Sequence, residues 1–238
     1  MLTFGQFHAA LNEAAKLLTR MQMLRERNRN VRTRLGAAAL GGLTYPEMWE
    51  ALVRANDYDF RLSDESIMAF WRAPRGREIR FAWLESPQQV PTYDDFARQF
   101  VADVFQTTSS DESESEEIAD IFNEDIRTAF EHEKGAAPLR TSVTPIRYEF
   151  KPDDYSAGLH PASHLHIGNR NSIRIACRRV LSPMSFVLFI LRQGYPDVWR
   201  SLLTDGTART SRGHIRVALR LVGDECWRDF DTCEMWLE

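Results

Sequence analysis

The chain has 238 residues, of which 43% are hydrophobic, and a net charge of −4 at neutral pH. This length and composition allow a sizeable buried core and exclude a disordered chain. The longest strongly apolar run, residues 184–191, is too short to span a bilayer, and no secretion signal is expected at the N-terminus. Three cysteines without metal-ligand spacing favour a reducing compartment, so we expect a soluble, cytoplasmic protein without a membrane partner.

Two capping boxes mark helix starts in the N-terminal part. Thr3 and Gln6 form the first, and apolar residues then recur at helical spacing, which predicts a helix over residues 2–25. Thr44 and Glu47 form the second and open another predicted helix.

The middle of the chain combines a hairpin with two helices. Residues 66–71 and 78–84 are predicted to be paired strands, and residues 92–105 form a predicted helix. Residues 107–117 contain no apolar side chain, which predicts a flexible acidic loop; an alternative is that they mimic a polyanion and cover a basic surface. An amphipathic helix is expected over residues 118–134.

Residues 163–177 are predicted to form a β-hairpin that carries histidines on one face. Apolar and polar residues alternate on both sides of a Gly and Asn turn. Pairing Leu165 with Ile175 keeps charge out of the core, and the same register places His166 opposite Arg174.

The preceding strand, residues 145–150, alternates in the same way. Arg147 and Glu149 lie on one side of it and Tyr148 on the other. If this strand neighbours the hairpin, Arg147 and Glu149 join the histidine face. His160 lies just before the hairpin.

A buried helix and a last strand are predicted to complete the fold. Ser182 is a suitable N-cap for a helix that runs to Arg192 under the sheet, and residues 214–221 alternate as a strand. We therefore expect an α+β fold in which an antiparallel, curved sheet packs on a central helix beside a helical N-terminal part. We expect one continuous domain with three parts. They are a helical part with a β-hairpin (residues 1–106), a flexible acidic loop (107–117) and an α+β part that carries the histidine hairpin (118–238).

Charge is distributed unevenly. Residues 109–134 contain ten acidic and two basic side chains, whereas residues 139–223 contain thirteen basic and five acidic ones. Arginine accounts for 27 of the 30 basic residues. Arginine binds phosphate bidentately, which favours a nucleic-acid partner, although a genome rich in G and C produces the same excess. The candidate nucleic-acid contacts are Arg147, Arg170, Arg178 and Arg179.

The histidine face is suited to cleavage of a phosphodiester without a cofactor. One imidazole would accept the proton of an RNA 2′-hydroxyl, another would protonate the leaving oxygen, and an arginine would stabilise the developing charge. The candidate catalytic residues are His160, His164, His166 and Arg174, supported by Tyr148 and Glu149.

Three alternatives remain open at this point. His164 and His166 also suit a divalent metal, with Glu149, Asp153, Asp154 or His160 as a third ligand, as in a metal-dependent hydrolase or an oxygenase. In the second alternative the chain is a non-catalytic subunit of a bacterial defence complex that binds nucleic acid or a protein. In the third alternative the histidines have a structural role only: they form hydrogen bonds with the backbone and with neighbouring carboxylates and complete the sheet.

Three segments carry a resemblance to a known family. Residues 147–150, 160–168 and 181–192 resemble the DUF2290 family of uncharacterised bacterial proteins, which implies no particular activity. The His-Pro and His-x-His patterns are more loosely similar to small toxins of toxin–antitoxin pairs. That similarity implies a nuclease or toxin-like effector in bacterial defence, with a protein partner from the same operon.

Overall fold

The computed structural model describes residues 3–28, 40–73, 77–105, 123–169, 173–204, 219–233 and 236–237. Among these, seven α-helices form: α1 (Phe4–Arg20), α2 (Tyr45–Arg54), α3 (Tyr93–Phe105), α4 (Asn123–Ala136), α5 (Pro183–Gly194), α6 (Pro196–Thr204) and α7 (Asp229–Cys233). The strands of the described residues are β1 (Leu24–Arg27), β2 (Phe60–Leu62), β3 (Ile67–Arg72), β4 (Ile79–Leu84), β5 (Ile146–Phe150), β6 (Ser163–Ile167), β7 (Arg174–Cys177) and β8 (Trp236–Leu237).

These strands form one sheet in which spatial order follows chain order from β1 to β8. Neighbours from β1 to β7 are antiparallel, and β8 joins the edge parallel to β7. The pairing of β4 with β5 joins strands from the two halves of the chain. The predicted α+β fold class is therefore confirmed.

One face of the sheet forms the main core. A cross-strand row of apolar and aromatic residues crosses its centre: Phe70, Phe81, Tyr148, Leu165 and Ile175. Helices α1 and α5 pack against each other on this side, and the ring of Phe186 from α5 lies 5.6 Å from that of Phe81. The predicted central helix under the sheet is thus α5, because its apolar side chains are buried on nearly every side.

The start of α5 is fixed by the predicted cap. The hydroxyl of Ser182 accepts a hydrogen bond from the N–H of Ser185 at 3.2 Å. The N–H of Leu181, one residue earlier, donates to the buried hydroxyl of Tyr148 at 3.0 Å. These bonds satisfy backbone donors that a buried helix start would otherwise leave unpaired, and they join α5 to β5.

The opposite face of the sheet is partly covered by α2. Tyr45, Trp49 and Leu52 of this helix form a second, smaller core with residues of the sheet and its edges, namely Tyr58, Ile67 and Leu84. Both predicted capping boxes are present, at Thr3 and at Thr44.

The prediction of a helix over residues 2–25 is wrong at its C-terminal end. Helix α1 ends at Arg20, and residues Leu24–Arg27 form the edge strand β1. Gln22 has a φ of 54°, which turns the chain, and β1 then pairs with β2. Hydrogen bonds to a distant strand override the local helical pattern in this segment.

Several predictions fall on residues that lie outside the described part of the chain. They are the acidic loop at 107–117, the first five residues of the helix predicted at 118–134, and most of the strand predicted at 214–221. The rest of that helix is α4. Within the described residues, every helix is too short or too polar to cross a membrane.

Candidate metal centre

Two cross-strand rows of side chains lie on the sheet face that is opposite the main core. The first row consists of Ala69, Ala82, Arg147, His166 and Arg174, in the order of strands β3 to β7. The second row consists of Trp71, Arg80, Glu149, His164 and Ala176. The predicted pairing of His166 with Arg174 is confirmed, and β5 does neighbour the hairpin, so Arg147 and Glu149 join the histidine face.

His164 and His166 bring two ring nitrogens together. Their Nε2 atoms are 3.0 Å apart. The Nδ1 atom of His164 lies 2.7 Å from the carbonyl oxygen of Pro161. Because a carbonyl oxygen only accepts, Nδ1 carries the proton and the Nε2 lone pair of His164 is directed at His166. A proton or a metal cation between the two Nε2 atoms accounts for the short distance.

Glu149 completes a group of three potential ligands. One carboxylate oxygen, Oε2, lies 3.7 Å from Nε2 of His164, and ligand atoms of Glu149, His164 and His166 all lie within 4.8 Å of one another. The other oxygen, Oε1, accepts from Nε of Arg80 at 2.9 Å. Arg80 thereby turns the free oxygen of Glu149 toward the imidazoles.

The geometry fits a transition-metal ion. Nitrogen ligands lie about 2.0–2.1 Å from a bound zinc ion, so two nitrogens 3.0 Å apart subtend an angle of about 90° at the metal. Two imidazoles and one carboxylate in such neighbouring positions match the two-histidine, one-carboxylate set of many metal enzymes. The hydrogen bond from His164 Nδ1 to a backbone carbonyl is also the usual outer contact of a histidine ligand.

Burial favours the neutral form of both imidazoles. His164 has no exposed surface, and burial is the largest cause that lowers its pKa below the ordinary value. Burial, with added repulsion from His164 and Arg147, lowers the pKa of His166 to about 4. Neutral imidazole is the form that binds metal ions, because its ring nitrogen offers a free lone pair.

The other predicted site residues on this face lie around the centre. The ring of His160 is edge-on to that of His164, with a distance of 5.0 Å between ring centroids. Arg147 and Arg174 lie on the two strands that flank His166, one on each side. Both arginines are exposed, and within the described part of the chain neither forms an ion pair with a carboxylate.

Three of the predicted site residues that the structure describes lie away from the histidines. Tyr148 lies on the core face, where its hydroxyl forms a hydrogen bond of 2.9 Å with the hydroxyl of Ser163. Arg178 stacks on Trp227 and donates to the carbonyl of Val222, and Arg179 donates to the carbonyl of Leu219. Both arginines therefore hold the C-terminal segment. Arg170 lies outside the described residues.

Sequence analysis missed the part of the site that β3 and β4 contribute. Arg80 and Trp71 extend the histidine row, and Ala69 and Ala82 leave space beside it. The alternation of residues 78–84 does separate Arg80 from Phe81. It is the long-range pairing of β4 with β5 that makes Arg80 a partner of Glu149, and nothing local in the sequence specifies this pairing.

Fold and site together define an α+β protein with an antiparallel sheet and a candidate metal centre of two histidines and one glutamate. A family model described as "Uncharacterized conserved protein (DUF2290)" matches residues 17–218, and the chain belongs to this family. The match contains all three potential ligands and both rows. Comparisons with curated proteins and with solved structures give no match.

Proposed function

We propose that this protein is a hydrolase that uses one divalent cation, bound by His164, His166 and Glu149, to cleave a phosphoester. The observation that carries the proposal is the convergence of the three ligands, with 3.0 Å between the two Nε2 atoms and 3.7 Å from Nε2 of His164 to the carboxylate. A bound divalent ion would polarise a phosphoryl oxygen and lower the pKa of a bound water.

The arginines beside the ligands support a phosphoester as the bond that is cleaved. Arg147 and Arg174 lie on the two strands that flank His166, and a guanidinium group from either side would stabilise the charge of a phosphoryl group. Hydrolysis needs only water as its co-reactant. The water oxygen forms a new bond to phosphorus, the bond to the leaving oxygen breaks, and that oxygen gains a proton while water loses one.

The metal-dependent reaction fits the site better than the metal-free ribonuclease reaction. His164 is fully buried and its Nδ1–H is used by Pro161, so this imidazole has no surface that a 2′-hydroxyl can reach. The general acid of a metal-free reaction would also have to be a charged imidazole, and burial disfavours that form at His164 and His166. The metal-free reaction, the operon partner and the role in defence stay predictions.

Metal binding tests the first half of the proposal. Protein freed of metal by a chelator is titrated with Mn²⁺ and Zn²⁺ by isothermal titration calorimetry. We expect one ion per chain for the wild type and an affinity at least about tenfold lower for His166→Ala and for Glu149→Gln. His132→Ala, in an exposed position of α4, is the matched control and is expected to bind as the wild type does. Equal binding by all four proteins would refute the site.

Hydrolysis of bis(p-nitrophenyl) phosphate tests the second half. Chelated wild-type protein is expected to be inactive, to regain activity with added metal, and to lose it again in Glu149→Gln. Metal binding together with nucleic-acid binding, but without hydrolysis of this ester or of labelled RNA and DNA, would instead indicate a non-catalytic subunit. Activity that persists in the chelator would contradict the role of the ion.

A further inference from the structure

A cavity of about 560 Å³ opens beside the candidate metal centre, between the sheet and α2. At one end its wall includes His166, Arg147 and Glu149, with Gly168 and Asn169 next to them. At the other end it is lined by Met48 and Leu52 of α2 and by Leu84 of β4. The cavity therefore has a charged end at the metal ligands and an apolar end under the helix.

We propose that this cavity binds a nucleotide whose phosphate lies at the metal centre and whose base lies between the sheet and α2. The inference rests on the proposed function, because it assigns a substrate class to the same site. The volume of the cavity is within the range of about 300–1,000 Å³ that is usual for small-molecule sites.

The charged end has the chemistry of a phosphate site. Arg147 lines the cavity directly and is flanked in its row by Ala82 and His166. With the small Ala82 on one side, its guanidinium has room to turn toward a ligand. A guanidinium binds two phosphate oxygens at once, which fixes the orientation of the group as well as its charge.

The middle of the cavity offers room and aromatic partners for a ring. Ala69 and Ala82 are paired across β3 and β4, and these small residues form the floor of the cavity opposite the side chains of α2. Trp71 and Arg80 border this floor as a stacked pair, with 5.4 Å between the guanidinium and the ring centroid. Aromatic rings and guanidinium planes are the surfaces on which nucleic-acid bases stack.

A polar side chain in the wall of the cavity favours a nucleotide over an alkyl phosphate. Asn169 is exposed and lines the cavity beside Gly168. Its amide offers a donor and an acceptor to the polar groups of a nucleotide, whereas an alkyl chain has no group that can bond it. Because the cavity lies between α2 and the sheet, we expect it to admit a single base and to exclude a base pair, so that the ligand is a free nucleotide or part of a single strand.

Three phosphate compounds test the inference on chelated wild-type protein, in which no reaction occurs. Uridine 5′-monophosphate, inorganic phosphate and octyl phosphate are compared by isothermal titration calorimetry. We expect the nucleotide to bind at least about tenfold more tightly than the other two, because base stacking adds to the phosphate contact. Equal affinity for the nucleotide and octyl phosphate would overturn the inference.

Two variants locate the bound nucleotide. Ala82→Met fills space at the floor of the cavity, and Arg147→Gln removes a positive charge at its charged end. Each is expected to weaken nucleotide binding at least about tenfold. Ala102→Met and Arg192→Gln, at exposed positions of α3 and α5, are the matched controls and are expected to bind normally. Circular dichroism checks that all four proteins fold. Unchanged nucleotide binding by both test variants, once they are shown to be folded, would overturn the inference.

An eight-nucleotide single strand and its duplex distinguish the source of the nucleotide. Tighter binding of the strand than of the mononucleotide indicates single-stranded nucleic acid, and equal binding indicates free nucleotides. Preference for the duplex would overturn the inference. Failure of the proposed function looks different: the nucleotide would bind, but metal binding or ester hydrolysis would be absent. Conversely, metal-dependent hydrolysis of the ester by a protein that does not prefer the nucleotide over the other two phosphates would refute only the inference.

Discussion

At the scale of single residues, Glu149 is the side chain on which the candidate centre depends most. Its two carboxylate oxygens have different partners, Arg80 on one side and the buried His164 on the other. The guanidinium of Arg80 is itself held over the ring of Trp71. An outer residue of this kind fixes the orientation of a metal ligand without touching the ion.

Replacing Arg80 by glutamine is expected to lower metal affinity by about tenfold to a hundredfold, because Glu149 loses the ion pair that orients it. Titration calorimetry with Mn²⁺ measures the change. Arg192→Gln is the matched control. An Arg80 variant that is folded and binds metal with wild-type affinity would show that Glu149 needs no such support.

Tyr148 is expected to stabilise the fold and not to take part in the reaction. Tyr148→Phe leaves the N–H of Leu181 without its buried acceptor, which costs about 1–3 kcal/mol of unfolding free energy. Urea unfolding gives this value, and metal affinity should not change. Tyr93→Phe, whose hydroxyl bonds an exposed asparagine, is expected to change stability far less. A loss of hydrolysis by Tyr148→Phe at unchanged stability would place the hydroxyl in the reaction after all.

At the scale of secondary-structure elements, a buried ion-pair cluster joins α4 to the edge of the sheet. Glu65 has no exposed surface and contacts Arg25 of β1 and Arg61 of β2. Nζ of Lys134, from α4, lies 3.5 Å from the same carboxylate. Arg25 and Lys134 also pair with Glu131, so two carboxylates and three cations link α4 to strands β1 and β2.

Glu65→Gln is expected to destabilise the protein by about 3–5 kcal/mol, since it removes the buried partner of Arg61 and leaves Arg25 and Lys134 to share Glu131. Urea unfolding measures the loss. Glu50→Gln breaks an exposed pair with Arg54 and should change the unfolding free energy by less than about 1 kcal/mol. Similar values for the two variants would mean that the cluster adds nothing beyond an ordinary surface pair.

Local signals in the sequence predict many of these elements, and long-range pairing explains where they fail. The helix starts at Thr3, Thr44 and Ser182 follow from capping residues, which act on their own backbone. The register of the histidine hairpin follows from alternation alone, because one shift would bury Arg174. The strand at Leu24–Arg27 could not be predicted, since its partner lies more than thirty residues away.

At the scale of the whole molecule, the two faces of one sheet do different things. One face packs on α1 and α5 and provides the main core. The other carries the two polar rows and the cavity beneath α2. The histidine half of this site was predictable from a single hairpin. The cavity was not, because it forms only when β3, β4 and α2 assemble beside that hairpin.

The central claim is that His164, His166 and Glu149 hold a metal ion. Anomalous diffraction from crystals grown with Mn²⁺ tests it most directly. The account predicts one strong anomalous peak, about 2.0–2.3 Å from Nε2 of both histidines and from a carboxylate oxygen of Glu149. A well-ordered site without such a peak, in which the two imidazoles simply share a hydrogen bond, would contradict it.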